Sequence, residues 1–343
     1  MRSISWQMTA AAWALAAAIV LSAVDAGAMQ TVVVVETMPV PVVLEHSRWF
    51  QDEMRRLGYT HGNTMNLITI EAHGSREVAE SELKAAIARG RPDLVVTFAT
   101  LASQAAHRVC RGTGIPVLFA VVSDPVGAGL VEATHRPTGT HVTGRVYTHF
   151  RTVKLDLVRE LARQAVPGRP VRIGCIHSSY PSAQGDIRRL STLADARDDI
   201  VFVGHEVPYR EMPAGLDTML ADVAAVIEKL ADEVDFWWQP AGPLGEVMPY
   251  TKVLLGSRVP IIYGNTVASV RAGALLTVTP NFEHGGREVA RLADAILNGT
   301  DPGAIPVTAP EAFDVAVNLG TALRLGIVVP PATLSMAGQR VYR

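Results

Sequence analysis

Two apolar runs separated by one helical segment constrain this chain more than any other stretch. From Arg91 it reads R-P-D-L-V-V-T-F-A-T-L-A-S-Q-A-A-H-R, and from Ile115 it reads I-P-V-L-F-A-V-V-S-D-P-V-G-A-G-L-V. Leu94 to Phe98 shows no polar alternation, as expected of a strand covered on both faces. The segment after it reads as helix to Arg111, where Gly112 and Gly114 close it. Ile115 to Val122 is a second buried run, ended by Ser123-Asp124-Pro125. Two such strands and one helix make a βαβ unit with a right-handed crossover. Ligands in sheets of this kind sit beyond the carboxyl ends of the strands. Thr97, Thr100, Ser103, Ser123 and Asp124 are therefore the first site candidates.

The same rhythm extends in both directions. Thr31 to Glu36 and Leu67 to Glu71 read as strands, and His46 to Leu57 and Arg76 to Arg89 as helices. Thr138 to Tyr147 reads as an irregular crossover out of the first sheet, followed by a long helix from Phe150 to Val166. A second set then begins, with strands at 171–176, 200–205, 234–238 and 259–263 and helices at 183–196, 216–230 and 244–255. Gly273 to Thr279 and Phe313 to Val317 read as further strands, His284 to Leu297 and Leu319 to Leu325 as helices. Two successive sets of parallel strands predict an α/β chain of two doubly wound parallel-sheet lobes. A length of 343 residues agrees with two domains.

Apolar residues make up 48% and charged residues 19%, enough for large cores. A formal net charge of -2, with no polybasic block beyond the N-terminus, argues against a nucleic-acid partner. Residues 1–28 read as an export signal: Arg2, the apolar run Ala10 to Val24, and Ala26-Gly27-Ala28 as the cleavage site. An uncleaved anchor helix is the alternative, although the run is short for a membrane span. No cysteine follows the cleavage site, so lipid attachment is not expected, and the mature protein should begin near Met29 in the periplasm. Cys110 and Cys175 fall in different predicted domains and read as buried free thiols.

The 10 histidines are scattered without metal-ligand spacing, so neither a metal nor another cofactor is expected. Ser81-Glu82-Leu83-Lys84 matches S-x-x-K, but in mid-helix and without a companion motif. There is no G-x-S-x-G and no glycine-rich phosphate loop, so an enzymatic role lacks a nucleophile and base.

Several stretches carry a family resemblance. They are L-G-Y-T-H-G-N at 57–63, R-P-D-L-V-V at 91–96, D-P-V-G-A-G-L-V at 124–131 and V-T-G at 142–144. Later come R-A-G-A-L at 271–275, G-R-E-V-A at 286–290 and V-N-L-G-T-A-L-R-L-G-I at 317–327. In this order they resemble the periplasmic substrate-binding proteins of ABC transporters with the type I fold. The resemblance is to the branch whose better-known members bind tryptophan or other aromatic amino acids. It implies lobe one at 30–146 plus 273–310 and lobe two at 147–272 plus 311–343. Three crossovers, near Tyr147, Arg271 and Glu311, would form a hinge that closes the lobes over a ligand.

Thr100-Leu101-Ala102 falls where the family has a Thr-Pro-Ala loop that holds a ligand carboxylate, and helix N-terminal N–H groups attract anions. Plain capping by Thr100 is the other reading. Ser123 and Asp124 follow the next strand, although Asp124 before Pro125 also suits a turn. In the second lobe Ser178, Ser179 and Tyr180 follow the first strand, where the family has an Asn-Pro-rich loop. Gln239 stands where the family commonly has Asp-Asn-Thr, Asn265 where acids are common, and Asn281-Phe282 at a family Asp-Tyr. Of Trp237 and Trp238, adjacent on a strand, one is expected in the core and one at the cleft.

An ammonium buried without a carboxylate is costly. The missing acids therefore predict a carboxylated or neutral small molecule with an apolar or aromatic body, not a zwitterion. The resemblance implies capture of that molecule for an ABC permease; a ligand-binding receptor docked on a membrane sensor protein is the alternative.

Overall fold

The computed structural model describes residues 29–147 and 150–343, so the predicted export signal lies outside the described residues. The first lobe is built from β1 (Gln30–Glu36), α1 (Pro41–Arg56), β2 (Met65–Glu71), α2 (Arg76–Arg89), β3 (Leu94–Phe98), α3 (Thr100–Cys110), β4 (Val117–Val122) and β5 (Val142–Val146). Its strands run parallel in the order β2-β1-β3-β4-β5, a doubly wound sheet. Val32 to Val35, Leu94 to Phe98 and Val117 to Val122 are buried along their whole length, because helices cover both faces of the sheet. Ser75 caps α2 by accepting the Val78 N–H, and Pro41 opens α1 where its missing N–H costs nothing.

The second lobe follows as α4 (Arg151–Ala165), β6 (Val171–Ser178), α5 (Pro181–Asp195), β7 (Ile200–Val207), α6 (Leu216–Leu230), β8 (Phe236–Trp238), α7 (Pro243–Glu246), α8 (Met248–Leu255), β9 (Ile261–Tyr263), α9 (Val267–Ala272) and β10 (Leu276–Pro280). The chain then crosses to lobe one for α10 (Phe282–Leu297), which packs along α1. It returns for β11 (Phe313–Asn318), α11 (Leu319–Leu325), α12 (Pro331–Ala337) and β12 (Val341–Tyr342). The second sheet runs β12-β11-β10-β9-β8-β6-β7, parallel except where β11 pairs antiparallel with β10.

Three local readings change. Val142 to Val146, expected to be irregular, is the fifth strand of lobe one, because Val117 to Phe119 of β4 need a partner and Val142 to Gly144 supply it. Leu276 to Pro280 belongs to lobe two, paired with β9 and β11, so the middle crossing falls after Pro280 and not near Arg271. The helix expected over 244–255 is two helices broken at Val247, whose φ of -100° and ψ of 137° are extended. Pro249 explains the break: in a continuous helix it would lack an N–H and clash with the preceding turn.

Cys110 and Cys175 are buried free thiols in different lobes. Trp237 and Trp238 fall in two different cores, as neighbours on a strand do, and neither reaches the cleft. One apolar core crosses between the lobes, joining Met38, Val40 and Leu101 to Tyr180 and Leu244. Among the described residues no helix is long and apolar enough to cross a membrane.

Candidate functional site

The strand ends of both lobes face each other across a cavity of about 30 Å³. Its lobe-one wall is Met38, Val40, Val42, Val43, Ala99, Val121 and Ser123; its lobe-two wall includes Tyr180, Gly242, Pro243 and Glu246, with Tyr147 at the first crossing. Two residues of the lobe-one wall sit in backbone conformations that side chains disfavour: Ala99 at φ 76° and Val121 at φ 57°. Ala99 follows the last residue of β3 and Val121 is the next-to-last of β4, where the β4–β5 register shifts. Strain of this kind costs about 1–3 kcal/mol per residue and gathers at ligand sites. Gly242, at φ 95°, makes the turn that aims α7 at the cavity.

Lobe two supplies a buried acid that sequence reading did not single out. Glu246 lines the cavity and is 5% exposed. Its Oε1 accepts from Asn265 Nδ2 at 2.7 Å and from the Tyr147 hydroxyl at 3.4 Å. Its Oε2 has no hydrogen-bond partner among the described residues. Burial pushes its pKa up to about 8, against the pull of the Lys154 charge and of the Tyr147 and Asn265 hydrogen bonds. Behind it runs a polar chain. The Asn265 N–H donates to Gln239 Oε1 at 3.0 Å, Gln239 Nε2 donates to Thr251 at 2.8 Å, and Thr251 meets Ser269 at 3.1 Å. Gln239 is fully buried, so it and Asn265, both site candidates, stand behind the acid and not on the cavity wall. The one available signal for Glu246 was Pro249 three residues on, which breaks the helix so that α7 ends at Glu246.

The other candidates divide into four groups, with Asp124 apart from them. Ser123 and Tyr180 line the cavity. Thr97, Thr100, Ala102 and Ser103 gather at the first turn of α3. There the Ala102 N–H donates to Thr37, Ser103 bonds Ala99 O and Thr97, and Thr100 Oγ1 has no hydrogen-bond partner among the described residues. Ser178 is buried, and Ser179 accepts the Tyr209 N–H at 2.9 Å. Asn281 caps α10 and reaches Asp314, while Phe282 packs on His46, so both belong to a crossing between the lobes.

Asp124 is committed elsewhere: its Oδ1 accepts from the Gly127 N–H at 3.0 Å and from Arg189 of α5 at 2.6 Å. It therefore ties lobe one to lobe two. Arg151 makes a second tie, donating to Ser123 O at 3.0 Å while paired with Asp186 at 2.5 Å. Tyr209 makes a third, donating to Gly74 O at 3.1 Å. Among the described residues no group of three or more His, Cys, Asp or Glu side chains could hold a metal ion.

Comparison with known proteins agrees with this geometry. The family described as ABC transporter substrate binding protein matches residues 31–341. A tyrosine-binding protein of Clostridioides difficile is 26% identical over 267 residues, covering 77% of this chain and 71% of that protein. An ABC domain from Streptococcus pneumonia, solved in complex with L-Trp, superposes with a TM-score of 0.76 at 22% identity, covering 91% of this chain and 99% of its own. The ligand-free, open structure of a Clostridium difficile substrate binding protein with adhesive properties gives 0.64 at 20% identity, covering 91% and 98%. Two mainly parallel sheets, strand ends facing one cavity and a family match over nearly all the described residues lead to one conclusion: the chain belongs to the ABC transporter substrate binding proteins, with the type I periplasmic binding fold and a binding, not catalytic, role.

Proposed function

We propose that this protein is an extracytoplasmic receptor that captures an α-amino acid with an apolar or aromatic side chain and delivers it to an ABC permease. One observation carries the reading: Glu246 lines the cavity with a buried oxygen that no described residue satisfies. A ligand ammonium supplies the missing donor, and charge-assisted bonds of this kind are about twice as strong as neutral ones. The acid removes the premise on which a zwitterion was disfavoured from sequence. Met38, Val40, Val42, Val43, Tyr147 and Pro243 offer an apolar and aromatic lining for the side chain. The first turn of α3, with Thr100 beside it, offers N–H groups to the carboxylate. The names of the tyrosine-binding relative and the L-Trp complex support the same ligand class.

Calorimetry against tryptophan, tyrosine and phenylalanine, each beside its deaminated analogue, tests the proposal. Binding of at least one amino acid, with its deaminated analogue at least tenfold weaker, is the expected result; a preference for the deaminated acids overturns it. Export is part of the same reading. N-terminal sequencing of the periplasmic protein should begin at or near Met29, and an intact Met1 end on cytoplasmic protein contradicts it.

A further inference from the structure

Tyr180 is 1% exposed and among the largest fully buried side chains. It lines the cavity, and its hydroxyl crosses to lobe one, where the Leu101 N–H donates to it at 3.4 Å. The Thr100 and Leu101 amides and the Thr37 and Thr100 hydroxyls all favour negative charge on that oxygen, while burial outweighs them and keeps the phenol protonated. Among the described residues the Leu101 N–H is the one donor within hydrogen-bond distance of that uncharged oxygen, with the Thr100 hydroxyl nearby, while the Thr37 hydroxyl proton is committed to Phe98 O. The Leu101 bond is long beside the usual 2.9–3.0 Å, and Thr100 Oγ1 has no hydrogen-bond partner among the described residues.

The loop that carries Tyr180 is held firmly. Ser179 accepts the Tyr209 N–H, and the Tyr180 ring stands edge-on to the Tyr209 ring with centroids 5.0 Å apart. The remaining cavity, about 30 Å³, suits one or two waters and no amino acid.

We propose that Tyr180 is an internal stand-in for the solute's carboxylate: its hydroxyl holds the anion-attracting first turn of α3, and a carboxylated solute binds by displacing it. The proposal rests on the amino-acid reading given above and adds to it a residue that sets the preference among solutes. A carboxylate brings two oxygens and a full charge to the same donors, so it outcompetes a phenol. The Tyr180–Leu101 bond and the contact with Tyr209 are lost in the exchange. Every carboxylated solute therefore binds more weakly than the donors alone would allow, whereas a solute without a carboxylate leaves Tyr180 in place.

Tyr180→Phe tests this, since it keeps the ring and removes the competing oxygen. Titration of wild type and variant with tryptophan and with its decarboxylated amine is the first arm. Tryptophan is expected to bind the variant on the order of three- to tenfold more tightly, the equivalent of one neutral hydrogen bond, with the amine unchanged. Unchanged or weaker tryptophan binding overturns the proposal, weaker binding meaning that the hydroxyl contacts the solute itself. Tyr209→Phe, which removes a lobe tie away from α3, should not tighten tryptophan; equal tightening would assign the gain to hinge motion and overturn the proposal.

The second arm uses solution scattering of both proteins without added amino acid. A larger radius of gyration for Tyr180→Phe is expected, because the hydroxyl bridges the lobes, and an identical radius overturns the role. This arm is independent of solute identity. If no amino acid binds wild type, the functional proposal fails while the role of Tyr180 is still decided.

Discussion

The two walls of the cleft are built from different materials. Lobe one presents backbone: the first turn of α3, the bent ends of β3 and β4 at Ala99 and Val121, and an apolar lining from Met38 to Val43. Lobe two presents a side-chain network in which Glu246 of α7 leans on Asn265, Gln239, Thr251 and Ser269, drawn from α8, α9 and the loops after β8 and β9. Backbone N–H groups follow from the fold and tolerate side-chain change. A buried polar network does not, because one lost member leaves its neighbours unsatisfied. On the proposed function, lobe one provides a general anion-attracting end and lobe two decides the ligand class.

The sharpest way to break this contrast is Glu246→Gln. It keeps the shape and removes the charge, so amino-acid affinity should fall at least thirty-fold, the equivalent of about 2–5 kcal/mol for a buried charge left without its partner. Deaminated analogues should be little affected; calorimetry on both sets reads the difference. Next comes pH. The Glu246 pKa of about 8 lies above the ordinary 4.5, so near neutrality the folded protein holds a neutral acid there. Capture of an ammonium then expels a proton, and affinity should rise by on the order of tenfold per unit between pH 6 and 8 and level off above. The same raised pKa gives a stabilisation that is full below about 4.5 and lost as pH climbs through 8, so melting of the protein without solute should show the opposite slope. Titrations in buffers of different ionisation enthalpy count the proton.

Gly185→Leu probes lobe approach itself. A Cβ at Gly185 would lie 3.0 Å from Asp124 Oδ2, so a larger side chain wedges the lobes apart. Affinity should weaken about tenfold if the closed population falls tenfold. Thermal stability should hold, since leaving glycine in a helix gains about 1 kcal/mol. Arg189→Ala should have the smallest effect. Its bridge to Asp124 is half exposed and worth about 0–1 kcal/mol, so affinity should change by no more than about fivefold.

Legibility in the sequence followed the same division. The central strands β3 and β4 of lobe one are apolar runs, and the end of α2 was readable from Gly90, because periodicity and helix stops are local signals. The short strands Phe236–Trp238 and Ile261–Tyr263 were also visible as apolar runs. Which lobe β10 joins was not, since Leu276 to Pro280 is equally apolar in either sheet and only its partners β9 and β11 decide. Glu246 was hidden for a related reason. It lies in a segment that reads as one amphipathic helix, and its partners sit far from it in sequence. Asp124, the acid that motif position favoured, is taken by Gly127 and Arg189.

The excursion of α10 has a consequence for how the molecule is made. Val289, Ala290, Ala293 and Ile296 complete the apolar layer under α1, yet they are synthesised after ten strands of the two sheets. Lobe one therefore cannot finish until most of lobe two has emerged, and lobe two still waits for β11 and β12. Contacts such as Tyr59 to Asp294 close across 235 residues and Gln30 to Leu297 across 267, so assembly is late and slow to nucleate. A fragment ending before Phe282 should expose the α1 face of the first lobe and aggregate, and cutting the crossings should not release two self-sufficient halves.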